Sequence, residues 1–431
     1  MNFTTNDLTL IFLSYIQDRS SLYIPSRRDL STMIRRLSLC LAFLVINGPC
    51  LSSSFVHKSQ QVHRTRSLIS QNNNQNELKA TLVSTDVNLP DTSQPINPNT
   101  FAGMIESGMK ERFNETDIER VLTSWRLVDQ GYYRKEYVGD GVEDADTYMI
   151  QECHSYVPGL TIKPFWDPKE FDWAKTLESR YSEIREEFDS VMSNMQKLQK
   201  EGNNIWAGAL TEDASSYGEG WKTLVLMDRG RWDAVNANLF PKTAQAVYKS
   251  GVPATEIFFA SMDGPSSIKK HSDFTNFVLT SHLALDIPYS GQNKCRLTVG
   301  NETQEWINGK CSVFDTSLLH DAENESDQMR YILMMRLWHP DLTPVEKEAL
   351  QFTFDSLEFD QLLSSNEEER FKAEKIVEAS RAFPLIPEDA PGQGFRASIK
   401  SPEVNKKGFG KKKQNKRKKK GGSGGKKRGF G

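Results

Sequence analysis

Two residues apart, His271 and Asp273 offer an imidazole and a carboxylate to a single ion. In an extended strand residues i and i+2 point to the same face, so both side chains can reach one metal. This nitrogen-and-oxygen donor set suits Fe(II), and a third ligand completes a facial triad with positions left open. His320 is the natural third, because it follows the strand-like Ser312-Val-Phe-Asp315 and a short loop. His271, Asp273 and His320 are therefore the expected metal ligands and catalytic centre. An HxD pair by itself also fits a solvated turn, and the distal histidine alone does not separate the two readings.

Arg330 lies ten residues after His320 and opens the run Arg330-Tyr-Ile-Leu-Met-Met-Arg-Leu-Trp338. A guanidinium in an otherwise apolar strand is costly unless it meets an anion. 2-Oxoglutarate offers one. Its 2-oxo acid end can chelate iron through two open positions and leave a third for O2, while its far carboxylate needs a bidentate cation deeper in the barrel. An internal salt bridge or a charge on an edge strand also accounts for Arg330.

The surrounding pattern must hold these residues in place. Asp167-Pro168 can supply an N-cap and a Pro in a first turn. After it, Trp173, Leu177, Tyr181, Ile184, Phe188, Val191, Met195 and Leu198 recur every three or four residues, which predicts one long amphipathic helix packed on a sheet. From Trp221 to Trp338 the pattern turns to short runs bounded by Gly, Pro and Asn: Thr223–Met227, Glu256–Ser261, Leu283–Ile287, Arg296–Val299, Ser312–Phe314 and Arg330–Leu337. Many short strands with turn signals predict an antiparallel sandwich or barrel. Thr343-Pro-Val-Glu346 combines Pro at the first helical position with a capping-box pair and opens a C-terminal helix. Helix is expected to continue to about Ala382.

With these residues in hand the sequence resembles a known family. His271-Ser-Asp-Phe-Thr-Asn276, His282-Leu-Ala-Leu-Asp-Ile-Pro288, Cys295-Arg-Leu-Thr-Val-Gly300, Glu305-Trp-Ile-Asn-Gly309, Phe314-Asp-Thr-Ser-Leu-Leu-His320-Asp-Ala-Glu-Asn324, Arg330 and Trp338-His-Pro340 occur in the order found in the aspartyl/asparaginyl β-hydroxylases. Lys163-Pro-Phe-Trp166 and Glu219-Gly-Trp221 extend the likeness, which spans roughly residues 150–350. The resemblance implies a mainly β body with flanking helices around a double-stranded β-helix, a jelly-roll of cupin type. It implies Fe(II), 2-oxoglutarate as cosubstrate and O2, with succinate, CO2 and a hydroxylated substrate as products. By the same resemblance His271 and His320 bind iron and Arg330 holds the 2-oxoglutarate carboxylate. His282 then approaches the cosubstrate, and Met262 lines its pocket. His339 closes the Trp-His-Pro motif as a structural residue, and His154 matches nothing.

Two positions depart from the family pattern. Animal protein-hydroxylating members have Gly where this chain has Asp273, so the retained carboxylate resembles bacterial members, which include lipid A acyl-chain hydroxylases. The family places Arg two residues before its second histidine, and this chain has Thr280 there. Ser261 or Arg296 could compensate for the lost guanidinium.

The 431-residue chain carries eight Trp and 23 Phe, enough for a sizeable core. Its net charge of −3 hides an asymmetry: from Lys400 to Arg428 fourteen Lys and Arg face only Glu403, about +13, which leaves about −16 elsewhere. Five cysteines show no CxxC or zinc-ribbon spacing; Cys295 and Cys311 are the pair that could bridge if the compartment allows it.

The expected organisation is a targeting segment over 1–75, a polar linker over 76–100, a catalytic body over 101–395 and a basic, disordered tail over 396–431. Leu37 to Ile46 is a ten-residue apolar run behind Arg35 and Arg36, short for a membrane span and fitting a signal-like segment over 33–52. The Ser- and Arg-rich, acid-free stretch over 53–75 resembles the second half of the bipartite plastid address of algae with secondary plastids. An ER or Golgi destination is the alternative. His57 and His63 would leave with a presequence and are not counted as ligands. Lys406-Lys-Gly-Phe-Gly410 and Lys427-Arg-Gly-Phe-Gly431 bracket the tail, which cannot bury enough apolar surface to fold alone. It can contact nucleic acid or another anionic surface.

Three functions differ in kind: a dioxygenase acting on a protein Asp/Asn side chain, a lipid or a small molecule; a non-catalytic β-barrel binding protein, for which Thr280 argues; and a protein tethered to nucleic acid through its tail.

Overall fold

The structure, a computed structural model, describes residues 89–140, 143, 147–194, 206, 220–289 and 291–384, with the backbone of 82–83 and 207–208. The targeting segment, most of the first half of the linker, and the basic tail lie outside the described residues, as do Met195 and Leu198 of the predicted helix. Among the described residues no helix is long and apolar enough to cross a membrane.

The body is mainly β with flanking helices, and its core is a double-stranded β-helix of two facing antiparallel sheets. We number the strands used here β1 (Phe165–Trp166), β2 (Trp221–Asp228), β3 (Ala254–Met262), β4 (Ser266–His271), β5 (Val278–Asp286), β6 (Cys295–Val299), β7 (Glu302–Glu305), β8 (Cys311–Phe314), β9 (His320–Asn324) and β10 (Arg330–Trp338). The larger sheet runs β1-β8-β5-β10-β3-β2, with the short Ala207–Gly208 on its far edge. The smaller runs β4-β9-β6-β7. Between them lies an apolar layer built from both, including Ala260, Ala284, Phe314 and Ile332 of the larger sheet and Ile268, Leu297, Val299 and Ala322 of the smaller.

Strand alternation sets which side chains face that interior. On β10, Ile332 and Met334 pack in the inner layer, whereas Leu333, Met335 and Leu337 pack on the outer face. There they meet helices α3 (Asp172–Ser179), α4 (Tyr181–Ser193) and α6 (Pro241–Ser250). A second helical layer of α1 (Phe101–Arg112), α2 (Glu119–Asp129), α7 (Pro344–Glu358) and α8 (Glu367–Arg381) packs around Phe277 and Val278, beside the start of β5. The remaining helix, α5 (Ala234–Leu239), precedes α6. Thr100 caps α1, accepting a hydrogen bond from the Gly103 amide. Thr343 and Glu346 form the expected capping box at the start of α7.

The predicted long helix is broken. Asp167 caps a single 3-10 turn over Pro168–Glu170, α3 starts at Asp172, and Arg180 leaves the helical region at φ −97°, ψ 5° before α4 resumes. The break suits the packing: Tyr181 and Arg185 of α4 both donate to the Leu285 carbonyl, and Arg185 also pairs with Asp286. The apolar stripe continues across the break, so periodicity alone cannot reveal it. Cys295 and Cys311 are buried free thiols on different sheets, not a disulfide. Cys295 instead points its sulfur at Asn324 Oδ1.

Candidate active site

His271 ends β4, and Asp273 follows in a turn, not within the strand. The expected same-face argument for i and i+2 therefore does not place the carboxylate. Phe274 does part of that work by adopting φ 59°, a left-handed conformation rare for a bulky residue. The turn is held from outside. Ser272 Oγ donates to Glu152 O at 2.8 Å, the Asp273 amide to Thr316 O at 2.8 Å, and the His154 amide to Phe274 O at 2.9 Å. Asn276 closes the clamp through two 2.8 Å bonds with the Val157 backbone. His154, which matched no motif, stacks on Tyr133 at 4.6 Å between ring centroids and leans on Phe274 at 4.9 Å.

His320 opens β9 directly opposite His271 in register. The approach to it is fixed by Asp315, whose Oδ1 accepts from the amide and hydroxyl of Ser317. Ligand atoms of His271, Asp273 and His320 all lie within 4.8 Å of one another. Asp273 Oδ1 is 3.7 Å from His271 Nε2 and 4.0 Å from His320 Nε2. Each histidine has its other nitrogen engaged: Nδ1 of His271 is 2.7 Å from Lys269 O, and Nδ1 of His320 is 2.9 Å from Leu318 O. A carbonyl can only accept, so both Nδ1 atoms carry the proton and both Nε2 lone pairs face the same space. Burial, then His271, lowers the His320 pKa to about 4, which keeps that ring neutral. Burial would raise the Asp273 carboxyl, but Arg336 and the two histidines outweigh it and hold the group below the usual carboxylate range. Two imidazoles and one carboxylate, preset on one side of a small space, fit a divalent transition metal.

Further along β10 the polar groups are unmet. Arg330 is fully buried, and among the described residues none of its three guanidinium nitrogens has a hydrogen-bond partner. Its Cζ lies 4.4 Å from the Trp306 ring centroid and 5.7 Å from that of Trp221. Met262 faces it in register on β3. Burial lowers its pKa to about 10, so it stays charged at neutral pH. His282 is on the same inner face of β5. Trp306 Nε1 donates to its Nδ1 at 3.1 Å. Indole nitrogen is only a donor, so the neutral His282 ring carries its hydrogen on Nε2, which is buried and has no partner among the described residues. Burial, then Arg330, pushes the His282 pKa well below its ordinary value. Rings connect this pocket to the His271–Asp273–His320 cluster: Phe314 lies 6.4 Å from His320 and 4.8 Å from His282, and Trp306 lies 5.8 Å from His282. One buried cation and one unmet N–H donor, walled by indoles and Phe314, fit a small carboxylate.

The structure brings together the six residues singled out in the sequence as two adjoining groups, His271, Asp273 and His320 beside Arg330, His282 and Met262. Neither residue considered as compensation for Thr280 reaches the site. Arg296 pairs with Glu323 and Glu325 on the exposed face of the smaller sheet, and Ser261 alternates outward between Ala260 and Met262. Opposite Thr280 on β10 stands Arg336 instead, buried, with Nη1 2.5 Å from Asp273 Oδ2. Its even spacing from Arg330 along one strand was the available signal. His339 is structural, with Nε2 3.0 Å from Thr161 O and Nδ1 accepting from the Asp341 amide.

Comparison with known proteins fits this arrangement. A family model described as aspartyl/asparaginyl beta-hydroxylase matches residues 178–340. The human aspartyl/asparaginyl beta-hydroxylase is 31% identical over 202 residues, 45% of this chain and 25% of that protein. An ornithine lipid ester-linked acyl 2-hydroxylase of Rhizobium tropici is 29% identical over 182 residues, 42% of this chain and 62% of its own length. The chain thus spans about a quarter of the human relative and under two thirds of the bacterial one. A solved prolyl hydroxylase from Trichoplax adhaerens, in complex with a hypoxia inducible factor peptide fragment, is 15% identical at a TM-score of 0.29, covering 40% of this chain and 81% of that one. That overlap is slight, and the fold stands on the strand order above.

Proposed function

This chain belongs, through residues 178–340, to the aspartyl/asparaginyl β-hydroxylase family, and on that premise we propose that it is a dioxygenase using Fe(II), 2-oxoglutarate and O2 to hydroxylate a C–H bond. The observation that carries this reading is the buried Arg330, with no hydrogen-bond acceptor among the described residues, beside a preset His271–Asp273–His320 donor set. Iron with 2-oxoglutarate supplies the O2 activation and C–H oxidation, with succinate and CO2 as coproducts. His271, Asp273 and His320 would hold the metal from one side and leave its other side for cosubstrate and O2. Arg330 and the His282 Nε2–H would take the distal carboxylate, replacing two unmet buried donors with charge-assisted hydrogen bonds. Trp306, Trp221, Phe314 and Met262 exclude water from that contact, which strengthens it. No side chain of the site is required to move a proton.

Protein Asp/Asn side chains are the first substrate class to test, following the family. A lipid acyl chain is the second, favoured by the retained Asp273 carboxylate and the acyl 2-hydroxylase relative. Purified protein should form succinate from 2-oxoglutarate only with Fe(II) and O2. Asp- and Asn-containing peptides and acyl lipids, assayed in parallel for hydroxylation, separate the two classes. Absence of turnover, unchanged in His271→Ala, would favour the non-catalytic binding protein.

A further inference from the structure

Positions 330, 332, 334 and 336 of β10 share the inner face of the larger sheet, so Arg336 stands about 20 Å along the strand from Arg330. It is in register with Thr280 on β5 and with Glu256 on β3, and all three are buried. Its Nη1 lies 2.5 Å from Asp273 Oδ2, while the other carboxylate oxygen, Oδ1, faces the two histidine Nε2 atoms. Glu256 Oε2 is 3.9 Å from Arg336 Nε on the opposite flank. Asp273 sits in a turn, where no strand pairing orients its side chain. Thr280 keeps the neighbouring position on β5 small, and a long side chain there would contest the space that Arg336 crosses. We propose that Arg336 is the positioning residue that orients the Asp273 carboxylate, presenting Oδ1 to the metal and holding Oδ2 away from it, with Glu256 bracing Arg336 from the other side.

This assignment rests on the metal reading above and differs from a plain buried ion pair. In a plain pair Asp273 serves only to neutralise Arg336, and metal binding depends on the histidines alone. Co(II) binding distinguishes the cases without any turnover, read by calorimetry and by the visible absorption of the bound ion. In Arg336→Met the affinity should fall about 10- to 100-fold with a changed spectrum, and Arg336→Lys should recover part of both. On an Asp273→Ala background Arg336→Met should add less than about twofold, because the contact that transmits its effect is gone. A folded Arg336→Met protein that binds Co(II) with wild-type affinity and spectrum would overturn the assignment, as would an undiminished loss in the double variant. If Arg336→Met does not fold, Arg336→Lys carries the test: wild-type affinity and spectrum there would overturn it. Failure of the wild-type protein to bind Co(II) would overturn the metal reading and this assignment together.

Discussion

Arg336 and Arg330 sit on one strand, on one face, six residues apart, and differ in what they meet. Around Arg336 the structure supplies a counter-charge in Asp273 at 2.5 Å and a second carboxyl group in Glu256 at 3.9 Å. Around Arg330 it supplies two indole faces and, among the described residues, no acceptor. A buried guanidinium without an anion costs several kcal/mol. The fold therefore carries that cost at one end of the strand and avoids it at the other. Chemistry explains the asymmetry. On the proposed reading a metal needs its ligands held in place before it arrives, and its end carries an anion against Arg336 Nη1. On the same reading a cosubstrate that leaves in every cycle needs donors that the protein itself does not satisfy.

Substitutions at the two ends should therefore have opposite signatures. The largest effect is on activity: His271→Ala or His320→Ala should reduce Fe(II)-dependent succinate formation to background, since neither leaves a facial set. Next is the contrast in stability. Asp273→Ala should destabilise the ligand-free protein by roughly 3–5 kcal/mol, because Arg336 loses the anion at its Nη1. Arg330→Met should instead stabilise it by about 1–3 kcal/mol while weakening 2-oxoglutarate binding about 100-fold or more. Denaturant unfolding of both variants reads this directly, and a destabilised Arg330→Met would break the comparison. His282→Phe removes a single unmet donor and should weaken 2-oxoglutarate binding about tenfold with Co(II) affinity unchanged. The smallest effect is at Glu256. Burial raises its pKa from 4.5 to about 8, so the folded carboxyl keeps its proton where the unfolded one has released it. Its stabilising share is present below pH 4.5 and is lost as pH rises through 8. Glu256→Gln mimics the protonated acid, so its Tm advantage over wild type should grow from pH 5 to pH 8.5.

The larger sheet was legible because its strands are apolar on both faces, with helices on one side and the inner layer on the other. β10 shows this in Ile332 to Met335, all apolar in both directions. Of the smaller sheet only β6 was read, as Arg296–Val299; its other three strands were not. Ser-Ser-Ile-Lys-Lys-His, Glu-Thr-Gln-Glu and His-Asp-Ala-Glu-Asn present one face to solvent and carry too few apolar residues to signal a strand. The His271–Asp273–His320 cluster was legible from type and spacing, but strand alternation is not what places Asp273 in it. Asp273 is aimed by a turn tied to Glu152, His154 and Thr316, contacts more than forty residues away or across a sheet that no local pattern encodes. Arg336 went unread beside Arg330 because a second arginine in the same strand looks like repetition until its register with Thr280 and its contact with Asp273 are known.

The central claim is that Arg330 waits for the 2-oxoglutarate carboxylate beside a His271–Asp273–His320 metal site. Calorimetric titration of 2-oxoglutarate into the anaerobic Fe(II)-loaded protein, in wild type and Arg330→Met, tests it most directly. Wild type should bind saturably, and the variant, retaining its metal, about 100-fold more weakly. Equal affinity in the two proteins, or no binding by wild type, would contradict it.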